Sequence, residues 1–152
     1  MQNKVDVIIP NYNQTNLLAR AIESALIQGD TINQIIIVDD GSSQETLEYL
    51  IDKFSCVQKI KIIRSARYSH PGIMRDIGLN NSNSEWIAFL DADDFWEPGK
   101  IDRQLKFALE NNFKVICSNG YVCKNSVRIK RFYFFQQTIL HHDINTLINS
   151  II

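Results

Sequence analysis

The chain has 152 residues, 45% of them hydrophobic and 22% charged, which suits one globular domain with its own core and excludes a disordered chain. A formal charge of -1 means that no global field attracts nucleic acid or an anionic membrane, so any affinity for phosphate has to come from a local site. Cys56, Cys117 and Cys123 form no CxxC pair and are odd in number, which argues against a disulfide framework and for a reduced, cytoplasmic setting.

The first residues carry no long apolar run behind Lys4, unlike a signal peptide, and no stretch approaches the roughly 18 apolar residues of a membrane span. Val5-Asp6-Val7-Ile8-Ile9 is a β-branched run stopped by Pro10. Pro10-Asn11-Tyr12-Asn13 then has loop composition, which predicts a first strand and its exit loop. From Asn16, the residues Leu17, Leu18, Ala21, Ile22, Ala25 and Leu26 recur at helical spacing up to Gly29. Ile35-Ile36-Ile37-Val38 predicts a second, buried strand that runs into Asp39-Asp40-Gly41-Ser42-Ser43. Ser42 with Glu45 three residues on forms a capping box, and Leu47, Leu50, Ile51 and Phe54 supply the inner face of the helix behind it. Ile60-Lys61-Ile62-Ile63 is a third strand. After His70-Pro71-Gly72, the residues Ile73, Met74, Ile77 and Leu79 predict a short helix carrying Arg75 and Asp76, ended by the turn-rich Asn80 to Ser84.

Trp86 to Leu90 fits a buried strand whose polarity reverses abruptly into Asp91, Asp93 and Asp94. Like charges this close repel and raise one another's pKa, so a cation among them is the expected relief. If the chain stays extended past Leu90, Asp91 and Asp93 point the same way, and two hard oxygen ligands suit Mg²⁺ or Mn²⁺. The alternative is that Asp93 or Asp94 caps the helix expected from about Pro98, which carries Ile101, Leu105, Phe107, Ala108 and Leu109. Phe95 and Trp96 read as packing residues.

Val115-Ile116-Cys117 predicts a fifth strand, and Tyr121-Val122-Cys123 pairs with Val127-Arg128-Ile129 as a hairpin around Lys124-Asn125-Ser126. Arg131 to Phe135 is open between a strand and an exposed aromatic patch, and Asp143 is the expected cap of a last helix. The apolar end at Ile151-Ile152 reads as a cut rather than a natural finish. His70 reads as a loop residue and His141-His142 would diverge on a helix or a strand, so the histidines read as solvated. Strands alternating with helices at this spacing predict the α/β class, with a doubly wound, mostly parallel sheet. In such a sheet ligands bind outside the carboxyl ends of the strands. Pro10, Tyr12 and Asn13, then Asp39 and Asp40, then Asp91, Asp93 and Asp94 all fall there, without a GxGxxG or GxxxxGK[ST] loop.

Val7-Ile8-Ile9-Pro10-Asn11-Tyr12-Asn13, Ile37-Val38-Asp39-Asp40-Gly41-Ser42, Arg75-Asp76-Ile77-Gly78 and Phe89-Leu90-Asp91-Ala92-Asp93-Asp94 together resemble the ordered motifs of family-2 glycosyltransferases with the GT-A fold. The resemblance runs from about Val5 to Ile116 and is weaker to Ile152. It implies a nucleotide-diphospho-sugar donor, UDP-linked in many relatives, with Mg²⁺ or Mn²⁺ on Asp91, Asp93 and Asp94. Tyr12 would stack on the base in a pocket shaped by Pro10 and Asn13, Asp39 would accept from the base N–H, and Arg75 would lie near the nucleotide or diphosphate. Asp91 would contact the ribose or the metal. The implied reaction is inverting transfer to a hydroxyl of a carbohydrate or lipid-linked acceptor, in the cytoplasm, with peripheral placement at the inner membrane face left open. On this reading residues 1–118 form the nucleotide-sugar-binding core and 119–152 begin an acceptor part whose base lies beyond Ile152. Asp76 stands where the family has Asn, adding negative charge near the expected phosphates. Two rivals remain: a non-catalytic nucleotide-sugar-binding module, and a nucleotidyltransferase, which would bring a Gly-rich basic loop near its first strand.

Overall fold

The computed structural model describes residues 3–124 and 127–132. They belong to two units, Met1–Asn111 and Asn112–Ile152. The first contains β1 (Val5–Asn11), α1 (Asn16–Leu26), β2 (Ile32–Asp39), α2 (Gln44–Phe54), β3 (Ile60–Arg64), α3 (Pro71–Asn80), β4 (Trp86–Phe89) and α4 (Lys100–Asn111). Its sheet has the order β3-β2-β1-β4 and every pairing is parallel, so the expected α/β, doubly wound architecture is present. The order steps outward from β1 to β3 and then crosses back to β4. The reversal therefore lies between β1 and β4, where open parallel sheets place their ligands.

Alternation along the strands divides the core into two layers. Val7, Ile9, Ile35 and Ile37 face Leu18 and Ile22 of α1, Leu50 and Phe54 of α2, and Ile101 and Leu105 of α4. Ile8, Ile36 and Val38 face Met74 of α3 on the other side. Gly78 brings α3 this close: a Cβ there would meet Ile8 Cγ2 at 2.4 Å.

Four expectations are corrected. Pro10 does not stop the first strand, which continues to Asn11. Ile8 O accepts from Leu90 N on the β4 side and Asn11 O accepts from Asp40 N on the β2 side. Pro10 shares the direction of Ile8, beyond the last β1–β4 pair, Ile8 with Phe89, so its missing N–H breaks no ladder bond. The cap of α2 is Ser43, whose side chain accepts from Thr46 N, while Ser42 is turned to Asp39. The last helix of this unit begins at Lys100, two residues after Pro98. Gln28 Oε1 accepts from Ile101 N at 3.2 Å in its first turn.

The fourth correction is Val115 to Cys117, which form no strand; Val115 is half exposed, so the short run lacks the burial that would hold it. In the second unit β5 (Gly120–Lys124) and β6 (Val127–Phe132) form the expected antiparallel hairpin. Tyr133 to Phe135, His141-His142, the helix expected after Asp143 and the tail at Ile151 lie outside the described residues. No helix among the described residues is long and apolar enough to cross a membrane.

A polar staple holds the opposite, N-terminal end of the sheet. Asp6 is fully buried on β1 and its carboxylate accepts from Asn33 Nδ2, Gln34 Nε2, Ser82 Oγ, Asn83 N, Ser84 N and Ser84 Oγ at 2.7–3.1 Å. Burial alone would raise its pKa, but these donors together hold the carboxyl far below the usual carboxylate range.

Candidate functional site at the carboxyl edge of the sheet

The loop after β1 is bound to the loop after β2. Ser42 Oγ donates to Asp39 Oδ1 and accepts from Asn13 N at 2.8 Å, while Asn13 Oδ1 accepts from Ser43 N at 2.8 Å. Asn11 Nδ2 donates to Asp39 Oδ1 at 3.2 Å, and Ser42 N donates to Asp39 Oδ2 at 3.1 Å. Asp39 is thus fully buried, with both oxygens already accepting from its neighbours. Asp40 looks the other way: Oδ1 accepts from Tyr68 N at 2.7 Å and Oδ2 from Ser69 N at 2.9 Å, which ties the β3–α3 loop to β2. A carboxylate has about four acceptor sites. Asp40 therefore retains more acceptor capacity than Asp39. Asn11 Oδ1 is buried without a partner, an acceptor at the strand end to which a ligand N–H or a water could donate.

Tyr12, next along, is 40% exposed and carries the guanidinium of Arg67 over its ring, 3.4 Å from the centroid. Arg67 drew no attention in the sequence because a lone arginine in a loop matches no motif. Pro10 is half-buried in the β1 ladder opposite Val38, and it shapes the pocket only as part of the strand.

A second group forms where β4 ends. The chain does not stay extended past Leu90; Asp91 to Asp94 close a turn in which Asp94 N donates to Asp91 O at 3.0 Å. The alternation that would align Asp91 with Asp93 therefore does not apply. Nor does either acid cap α4, which starts six residues after Asp94. Arg75 Nη2 reaches Asp91 Oδ1 at 2.6 Å, linking α3 to the turn. Arg20 of α1 donates to Asp93 O at 2.7 Å, and its guanidinium lies 4.7 Å over the half-exposed ring of Phe95. Trp96 is buried, as a packing residue should be. Asp76 is exposed and is approached by Asn80 Nδ2 at 3.5 Å, so Arg75 is engaged with Asp91 and not with its own neighbour.

Partial burial raises the Asp94 pKa, the charges of Asp93 and then Asp91 raise it further, and Arg20 offsets part of this. Among the described residues no three His, Cys, Asp or Glu side chains converge tightly enough to hold a metal by themselves. Mg²⁺ needs only one or two carboxylates when phosphates and water complete its shell. The donors here are all hard oxygens, the ligand type that Mg²⁺ and Mn²⁺ take, with Arg75 and Arg20 already among them.

The chain is similar to known proteins. A family model described as glycosyl transferase family 2 matches residues 6–149. An uncharacterized glycosyltransferase of Rickettsia felis is 44% identical over 115 residues, covering 72% of this chain and 18% of its own length. The Escherichia coli UDP-Glc:alpha-D-GlcNAc-diphosphoundecaprenol beta-1,3-glucosyltransferase WfgD is 28% identical over 128 residues, 84% of this chain and 50% of its own. The crystal structure of residues 1–349 of S. aureus TarS in complex with UDP superposes with a TM-score of 0.63 at 25% identity, over 72% of this chain and 33% of that one. This chain therefore spans half or less of the length of these proteins. With a parallel sheet of this order, acids and an arginine at its carboxyl edge, and a family model covering nearly all of it, the chain belongs to glycosyltransferase family 2.

Proposed function

We propose that this chain is the donor-binding part of an inverting glycosyltransferase and holds a UDP-linked sugar across the carboxyl ends of β1, β2 and β4. The observation that carries the reading is the acidic turn after β4, bridged by Arg75 at 2.6 Å, on the same sheet edge as Tyr12 and the Asp39-Asp40 pair. The UDP complex of the TarS fragment and the name of WfgD, which pairs UDP-glucose with a lipid-linked acceptor, support the donor class and an acceptor of that kind.

On this reading each residue has a role that its contacts support. Tyr12 offers a ring for stacking on the base. Asp40, with acceptor sites beyond those used by Tyr68 N and Ser69 N, receives the base N–H, while Asp39 keeps the two loops together through Ser42 and Asn11. Arg75 orients the Asp91 carboxylate and sets a positive charge beside the diphosphate. Asp93 and Asp94 supply the remaining oxygens for Mg²⁺ or Mn²⁺, which when bound stabilises the charge on the departing nucleoside diphosphate. A carboxylate outside the described residues takes the proton of the attacking acceptor hydroxyl.

Titration of UDP with and without Mn²⁺ tests this. Mn²⁺ should tighten binding at least tenfold, and Asp93→Ala should remove that gain while leaving metal-free binding in place. A Mn²⁺ effect that survives Asp93→Ala, or none in the native chain, would overturn the metal assignment.

A further inference from the structure

The Arg67–Tyr12 contact is built from several sides. Gly41, at φ +72°, lies against the Arg67 backbone, where a Cβ would come within 3.3 Å of the Arg67 Cβ. Ser65 N donates to Asp39 O at 2.9 Å, and the Asp40 carboxylate holds Tyr68 N and Ser69 N just past the arginine. Arg67 Nε donates to Ser69 Oγ at 3.2 Å, which orients the guanidinium. Tyr12, for its part, is followed by Asn13, anchored at both its backbone N–H and its side chain. At 3.4 Å the guanidinium carbon is at stacking distance from the ring centre, so one face of Tyr12 is covered, while the residue as a whole keeps 40% exposure. No carboxylate among the described residues forms an ion pair with Arg67.

We propose that Arg67 is a positioning residue for the nucleobase: it backs the Tyr12 ring from one side, so that the other side is presented already fixed for stacking. This rests on the reading of Tyr12 as the base platform and adds a layer to it. An unsupported tyrosine on a loop loses rotamer freedom when a base settles on it, and a ring already held by Arg67 has lost that freedom beforehand. Only a planar cation backs a ring in this way, because a lysine ammonium keeps the charge without the stacking surface.

The test is titration of uridine and of UDP, in chelator to silence the acidic turn, on the native chain and on Arg67→Ala, Arg67→Lys and Tyr12→Ala, with circular dichroism confirming that each variant is folded. Arg67→Ala should weaken uridine and UDP by the same factor, about two- to fivefold for an exposed cation–π contact. Arg67→Lys should recover only part of the loss. Unchanged uridine affinity in Arg67→Ala, beside a clear loss in Tyr12→Ala, would overturn the proposal and leave the Tyr12 platform standing. So would a loss confined to UDP and cured by lysine, the mark of a phosphate contact, or a gain in uridine affinity, the mark of a side chain occupying the base's place. Equal uridine affinity in Tyr12→Ala and the native chain would instead bring down the platform itself.

Discussion

Replacing Asp6 by alanine should be among the most damaging single changes in the sheet, although Asp6 sits at the end remote from the candidate site. The carboxylate accepts from six donors, and the variant leaves them all without it. Asn33, Gln34 and the two serine hydroxyls can turn toward water, but the backbone N–H groups of Asn83 and Ser84 are fixed by the chain. Two stranded backbone donors at ~1–3 kcal/mol each, with some loss from the flexible donors, give a cost of about 4 kcal/mol. For a chain of this size that is roughly a 10 °C fall in melting temperature. Urea denaturation followed by circular dichroism at pH 7 measures it. The sign with pH is also fixed: the folded state holds the Asp6 pKa below its unfolded value of about 3.9, so the stabilisation is complete above that value and fades as pH falls below it. The gap between native and variant should therefore shrink on acidification. A difference under about 1 kcal/mol at neutral pH, or one that does not move between pH 7 and pH 3, would refute the staple.

Gly78→Ala should destabilise by about 1–3 kcal/mol, visible in thermal melts, because its Cβ would fall 2.4 Å from Ile8 Cγ2 in a packed layer. Ser42→Ala removes a donor to Asp39 and the acceptor for Asn13 N; a loss of about 1–2 kcal/mol in urea denaturation is expected, together with weaker uridine binding as the Tyr12 loop loosens. Arg75→Ala should leave stability within about 1 kcal/mol, as for any partly exposed ion pair, yet lower UDP affinity in the presence of Mn²⁺, and Arg75→Lys should restore only part of it. Equal UDP affinity across those three proteins would remove Arg75 from the site.

The first two strands were legible because buried parallel strands read as β-branched runs, and Val7 to Ile9 and Ile35 to Val38 are such runs, whereas the buried strand expected from Trp86 to Leu90 ends at Phe89 and leaves that ring exposed. The hairpin after Gly120 and the short helix bearing Arg75 were legible for similar reasons of pattern and punctuation. Pro10 misled because a proline's effect depends on which neighbour its nitrogen faces, and that is a property of the assembled sheet. Asp91 to Asp94 misled because composition does not say whether a chain stays extended, and a single i to i+3 bond turned it. Asp6 and Arg67 show what pattern reading passes over. A polar residue inside Val5-Asp6-Val7-Ile8-Ile9 and a serine-asparagine cluster before the fourth strand are two halves of one network, separated by more than seventy residues. Arg67 had a faint signal only in retrospect, in the glycine after Asp40 that allows another loop to lie close.

The pairing of β1 sets the carboxyl rim of the sheet at two heights. β1 and β4 stop matching at Ile8 and Phe89, whereas β1 and β2 continue together through Asn11 and Asp39. Three further residues at about 3.3 Å each raise one tread of this staircase roughly 10 Å above the other. Tyr12 follows the upper tread, beside Asp39 and Asp40, and Asp91 to Asp94 follow the lower. An occupant that touches both has to be long enough to span the step between them.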